Sequence, residues 1–330
     1  MKGEKKMAKK RLFLILTSVF AVVALTLAAP VSKGALAYEI IWATAPVGGV
    51  WQALGTAMLH DLLKSNPKYK GSTLPLGGTA NVVAVSKGKA TCGFSFSSTA
   101  WEAWEGIEYF KKTGELRNIS GLATLFPEPT QIAVWADSGI TKVMQLKGKR
   151  ITPGPKGSAI DGVTRQVLRA YGISYDDVKI QYMSFREAGQ QMLDHHIDAI
   201  VYGAMAYPAP PIINISSQGK IRLIPLSQDI IDKLVKEYKA FEPYTLPSGS
   251  YPGVDYPVKG IAASVVVVGS KDIHNDVAYD IAKSLAENFV NYSKITKAMA
   301  LGKREELGKP MGVPFHPGAL QYYKECGWVK

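Results

Sequence analysis

Residues 148–171 read GKRITPGPKGSAIDGVTRQVLRAY, and this stretch decides how the chain is parsed. A short strand over 149–152 runs into a turn carrying Pro153, Gly154, Pro155 and Gly157, and a helix follows. Ser158 is placed as the N-cap, where its hydroxyl can accept from an orphan N–H of the first turn. Ile160, Val163, Val167 and Tyr171 recur at helical spacing and give the helix one apolar face for a sheet. A helix start of this kind aims free N–H groups above the turn and favours an anion by ~0.3–1 kcal/mol when exposed. The plainer reading of the stretch alone is an ordinary βα turn. No Gly-Lys-Ser/Thr closes it, so it is not a Walker A loop.

The unit recurs on either side. A strand over 39–43 leads through Pro46, Gly48 and Gly49 into a helix over 50–64. A strand over 72–76 meets Gly77, Gly78 and Thr79 before a helix to 87. A third strand over 90–96 hands over at Ser97 and Ser98 to a helix with Trp101 and Trp104. Parallel sheets collect such turns at their carboxyl edge, where ligands bind. Strands over 118–125 and 131–136 are read as joined by a stiff connection, Phe126-Pro127-Glu128-Pro129. A second α/β set follows, with strands over 178–183, 197–202 and 220–226 and helices over 185–195 and 227–239. Residues 241–258 read as a long loop, 259–268 as a return strand, and 275–291 and 317–326 as closing helices. The expected layout is two α/β lobes, 38–126 with 262–330 and 127–261, hinged to close on a ligand between them.

The chain's ends and composition bound the function. Lys2, Lys5, Lys6, Lys9, Lys10 and Arg11 precede an apolar run over 12–29, and Ala35-Leu36-Ala37 supplies a small-x-small cleavage site. The expectation is a signal peptide over 1–37, cleaved after Ala37, and a periplasmic protein; an uncleaved anchor is the alternative. The formal net charge is +12, and 1–37 carries seven Lys/Arg against one Glu, so half of that charge leaves with it. The remaining charges are scattered, with no basic stripe to suggest nucleic acid. The length left after the signal suits about two domains. Cys92 and Cys326 could pair in an oxidising compartment, but the strand-like setting of Cys92 favours free thiols.

Enzyme signatures are missing. His60, His195, His196, His274 and His316 form no His-x-x-x-His pair, and His195 and His196 point about 100° apart on a helix. In residues 249–253 the serine, Ser250, stands one place too early for a nucleophile elbow. A secreted hydrolase is the weaker alternative to a binding protein, and neither a metal nor a cofactor is expected.

Eight short motifs in order carry a family resemblance: Val47-Gly48-Gly49, Gly77-Gly78-Thr79-Ala80-Asn81, Gly154-Pro155-Lys156-Gly157-Ser158, Phe185-Arg186-Glu187-Ala188, Ile197-Asp198-Ala199, Tyr207-Pro208-Ala209-Pro210, Tyr251-Pro252-Gly253 and His316-Pro317-Gly318-Ala319. Through them the chain resembles the TAXI branch of solute-binding proteins from tripartite ATP-independent periplasmic (TRAP) transporters. The resemblance implies a two-lobed, type II-like periplasmic-binding-protein fold and a ligand cleft between the lobes. It implies a small organic acid or amino acid delivered to a sodium-coupled TRAP permease, with no chemistry on the way. Carried over by position, the cleft would include Gly48, Gly49, Trp51, Gly78, Asn81, Ser97, Ser98, Gly157, Ser158, Arg186 and Tyr207.

Each candidate has a structural alternative. Asn81 can bond its own turn, Trp51 can sit in the core, and Lys156 can be a solvated turn residue. Arg186 suits a carboxylate but can equally pair with Glu187 or Asp194. Phe96, Ile160 and Tyr207 stand where the family tends to offer Gln, Thr and His. An unpaired buried charge costs several kcal/mol, so the expected ligand has one carboxylate and an apolar or aromatic body. Its carboxylate is expected on the N–H groups of Gly157 and Ser158 with Arg186 nearby, Trp51 and Tyr207 covering the rest. A glutamate-like amino acid is the alternative.

Overall fold

The computed structural model describes residues 38–47 and 49–330; the expected signal over 1–37 and the candidate Gly48 lie outside the described residues. Two mixed sheets organise the chain. The first holds β1 (Tyr38–Thr44), β2 (Tyr69–Pro75), β3 (Cys92–Phe96), β4 (Ile119–Pro129), β10 (Phe241–Leu246) and β11 (Val258–Ser270), in the order β10-β11-β3-β1-β2, with β4 also on β11. β1 and β3 are parallel, while β11 runs antiparallel to β3, β4 and β10. The second sheet is β7 (Lys179–Ile180), β6 (Arg150–Thr152), β8 (Ala199–Tyr202), β5 (Gln131–Trp135) and β9 (Ile221–Leu223), in that order. In it β6 is parallel to β7 and β8, and β5 is antiparallel to β8 and β9.

Nine α-helices are present among the described residues: α1 (Val50–Ser65), α2 (Gly78–Ser86), α3 (Ser97–Glu105), α4 (Ala159–Ala170), α5 (Phe185–Leu193), α6 (Pro210–Ser216), α7 (Gln228–Glu237), α8 (Asn275–Asn288) and α9 (Pro317–Glu325). No described helix is long and apolar enough to cross a membrane. β3 is buried at all five residues and β11 at nearly every one. Such unbroken apolar runs belong to strands covered on both faces, unlike the alternation of a half-solvated sheet. Around them Ala43, Val82, Val85, Ala100, Ala103 and Phe110 join Val266 and Val268 in a core.

The chain passes between the sheets twice: at Thr130, between β4 and β5, and again between β9 and β10. Three local expectations need correction. Phe126-Pro127-Glu128-Pro129 is not a free connection but the end of β4, with Pro127 opposite Ser264 and Pro129 opposite Ala262. Prolines are tolerated there because this end of β4 pairs with β11 alone, its other bridge being Gly121 to Phe315, and an edge strand needs N–H donors on one side only. Residues 241–246, read as loop, form β10, because the segment pairs in register with the first part of β11. The strand expected over 178–183 shrinks to Lys179–Ile180, since β7 has a single neighbour, β6. Cys92, within β3, and Cys326, after α9, are both free thiols.

Candidate functional site

The first turns of helices from both sheets converge. α2 follows β2 of the first sheet and α4 follows β6 of the second. A β-carbon at Gly78 would lie 3.5 Å from the Ala159 Cβ and 3.5 Å from the Trp51 ring. The starts of α1, α2 and α4 are therefore in contact range, and Gly78 permits the approach. Beside them lies a cavity of about 350 Å³ lined by α2, α3 and α4, by the turn before α4, and by Glu108 and Tyr109 after α3. Its polar lining includes Thr79, Thr99, Glu102, Glu108, Ser158 and Lys156, with Arg165 and Asp161 on the α4 side. Tyr109 and Tyr182 stand at it as well, the Tyr109 ring 3.9 Å from where a Gly157 side chain would begin.

The start of α4 is largely committed to its own turn. The Ser158 hydroxyl accepts from the Asp161 N–H at 3.2 Å, as a cap should. Asp161 Oδ2 in turn accepts from the Gly157 N–H at 3.0 Å, and the Ser158 N–H donates to the Pro155 carbonyl at 3.2 Å. The two N–H groups expected to hold a carboxylate are thus occupied, and an internal acid already sits at the positive helix end. Helix geometry leaves the N–H groups of Ala159 and Ile160 as first-turn donors. Asp161 also accepts from the Tyr175 hydroxyl at 2.7 Å, and Arg165 lies 3.6 Å from it while stacking on the Tyr175 ring. Lys156, read as a solvated turn residue, is exposed but lines the cavity, its ammonium 5.7 Å from the Tyr182 ring centre.

The remaining candidates divide by position. Trp51 is half-buried and packs on Phe94 and, edge-on, on Phe96, at 5.7 and 5.3 Å between ring centres. Gly49 is the N-cap of α1. Asn81 is fully buried; its Oδ1 accepts from the Gly77 N–H and its Nδ2 donates to the Phe94 carbonyl, so it splices the turn to β3. The Ser97 hydroxyl donates to the Ala240 carbonyl and accepts from the Ser264 N–H, tying α3 to β11. The Ser98 hydroxyl is buried with no partner among the described residues. Arg186 is exposed at the start of α5, outside the cavity lining, and Asp194 is engaged by Gln190 instead of by it. Tyr207 is half-buried, edge-on to Tyr251, and also outside that lining.

Sequence reasoning missed Glu102, Glu108 and Arg169. Glu102, in α3, accepts a hydrogen bond from the Gln166 amide of α4. Arg169 bonds Glu108 at 2.8 Å and also the Tyr238 hydroxyl, closing the same seam between helices of the two sheets. Burial pushes the Glu102 carboxyl up to about 8, and the bond from Gln166 opposes that rise. The signal was available in principle: Gln166 and Arg169 lie on α4 about one turn apart, Gln166 at the edge of the apolar face beside Val163 and Arg169 further round. Their partners, 64 and 61 residues earlier in the chain, could not be assigned without the fold.

The structure is similar to three solved bacterial proteins. One, from work on glutathione import via GshT and the cystine ABC importer TcyBC of Streptococcus mutans, has a TM-score of 0.50 at 13% identity, covering 82% of this chain and 99% of the other. The periplasmic aliphatic sulphonate binding protein SsuA from Escherichia coli gives 0.49 at 17% identity, covering 87% and 82%. A putative L-cystine ABC transporter protein from Listeria monocytogenes gives 0.49 at 14%, covering 81% and 99%. The first of these likenesses matches the two-sheet architecture and makes the fold a type II-like periplasmic-binding-protein fold. The sequence model of the NMT1-like family matches residues 42–327, nearly the whole described chain, and the protein therefore belongs to the NMT1-like family.

Proposed function

We propose that this protein is an extracytoplasmic receptor that holds a small organic acid between its two lobes and hands it to a membrane permease, without chemistry. The observation that supports this most is the cavity where α2 and α3, from the first sheet, face the start of α4, from the second. The lobes in this reading are 38–126 with 262–330, and 127–261. An acid would be met by the first-turn N–H groups of Ala159 and Ile160, with Lys156 and Arg165 as counter-charges. Trp51 forms the apolar side of the same corner through Gly78. The resemblance to the TAXI branch makes a TRAP permease the partner. The similar Streptococcus mutans protein is named together with a cystine ABC importer, so the energy source is the discriminating measurement.

A thermal-shift screen against organic acids tests the receptor reading. A ligand at 100 times its dissociation constant adds ~2.7 kcal/mol of stability. Lys156→Ala is expected to weaken the strongest hit by about tenfold while leaving the unliganded melting temperature within a degree or two. Silence across a broad acid library would end this reading. Uptake of the hit by cells expressing receptor and permease should collapse when the sodium gradient is removed; uptake that follows ATP alone would replace the TRAP partner with an ABC importer.

A further inference from the structure

Glu102 and Gln166 meet where a helix of the first sheet faces a helix of the second. Glu102 projects from α3, which follows β3, and Gln166 from α4, which follows β6. Both are deeply buried, with 4% and 1% of their surface exposed. Gln166 Nε2 donates to Glu102 Oε1, while Gln166 Oε1 is buried with no partner among the described residues. No cation among the described residues bonds Glu102, since the Arg169 guanidinium is held by Glu108 at 2.8 Å and by the Tyr238 hydroxyl. A carboxylate here would bury an unpaired charge and leave the amide oxygen without a donor. A carboxylic acid removes both costs. It offers one oxygen to the amide N–H and an O–H to the amide oxygen, the complement of a primary amide. Burial acts in the same direction and pushes the Glu102 carboxyl up to about 8, so the group holds its proton at neutral pH.

We infer that Glu102 and Gln166 form a neutral acid–amide pair across the two lobes, so that closing the cleft takes up a proton. This rests on the receptor reading above and adds a regulation to it. The proton sits on the second oxygen of Glu102 and is donated to Gln166 Oε1. When the lobes part, Glu102 meets water and titrates near the ordinary ~4.3. The joined form therefore holds one more proton than the open form from ~4.3 up to about 8. Below that window the pair favours closure in full. Through it the advantage falls by up to about tenfold per pH unit, and above it none remains. Glu108, just beyond α3, favours the proton, and Arg169 of α4 opposes it. Glu105, further along α3, faces Arg117, while Asp161 and Arg165 of α4 face each other at 3.6 Å. Tyr109 and Lys156 line the same cavity. α2, packed beside α3, carries no titratable side chain, and β3 and β11 bring only Cys92 and Lys259.

Solution scattering of the unliganded protein from about pH 5 to about pH 9 tests this with the proton as the only probe. Its failure leaves the receptor reading standing, and that reading fails by a separate route, the silent acid screen. The parent's radius of gyration is expected to grow as pH rises and to level off above about 8. Glu102→Gln cannot ionise but still matches Gln166 as an amide–amide pair, so its radius should stay at the parent's low-pH value throughout. Isotope-edited infrared difference spectra, parent against Glu102→Gln, should show a protonated carboxyl band that disappears near about pH 8. A parent radius independent of pH, or one that grows equally in Glu102→Gln, would overturn the inference. A carboxyl band already lost by about pH 6 would overturn it too. Should Glu102→Gln fail to fold, Gln166→Leu breaks the pair from the other side. That variant should be expanded at every pH, and a pH response like the parent's would overturn the inference.

Discussion

Asn81 shows how a residue chosen for a ligand can be spent on the frame. Its amide bridges the Gly77 N–H at 3.0 Å and the Phe94 carbonyl at 2.9 Å, within the core. Asn81→Ala leaves both unsatisfied and is expected to cost about 2–3 kcal/mol in urea unfolding. An unchanged midpoint would show that the turn holds without it. Glu128 presents the opposite case, a carboxyl in β4 buried with 4% of its surface exposed and pushed up to about 8 by burial alone. An unfolded Glu titrates near 4.3, so between that value and about 8 the native state binds the extra proton. Stability from this group is therefore full below pH ~4 and falls as pH rises through 8, by at most ~1.4 kcal/mol per pH unit. Glu102 contributes with the same sign. Glu128→Gln should flatten this decline between pH 5 and 9 in denaturant titrations; a slope identical to the parent's would remove Glu128 as its source.

At the scale of elements, α4 lines the cavity, and Thr164 seats it against the end of β8. The Thr164 hydroxyl donates to the Val201 carbonyl at 2.9 Å and accepts from the Gly203 N–H at 2.9 Å. A β-carbon at Gly203 would lie 2.3 Å from the Thr164 nitrogen, so α4 can rest against the end of β8 only if residue 203 has none. Gly203→Ala is expected to destabilise by ~1–3 kcal/mol and to weaken any cleft ligand, because the cavity wall shifts with the helix. Ser158→Ala, which removes only the cap, should cost ~1 kcal/mol. If Gly203→Ala melts like the parent, the helix has room that the present contact denies.

For the whole molecule, closure is the property to measure. Gly78 against Ala159, Glu102 against Gln166 and Glu108 against Arg169 place segments that follow strands of the two sheets in contact. The chain passes at Thr130 and between β9 and β10 are the candidate hinge. A saturating ligand is expected to reduce the radius of gyration in solution scattering, as hinged closure does. Identical curves with and without ligand would mean that the protein is rigid or already closed.

Sequence alone determined what depends on neighbours along the chain. The Ser158 cap, the apolar face of Ile160, Val163 and Val167, and the strand-to-helix handovers at Gly49, Gly78 and Ser97 all follow from local geometry and spacing, and all are present. The buried run of Val265–Val268 was legible because a doubly covered strand has no polar alternation to obscure it. Tertiary structure decided what depends on distant partners. It made residues 126–129 and 241–246 strand, because β11 offers them backbone groups to pair with. It turned Asn81 and Ser97 inward and occupied the N–H groups of Gly157 and Ser158. It also brought Glu102 to Gln166, 64 residues away, since whether a polar side chain faces solvent, frame or ligand is fixed by the segment that packs opposite it.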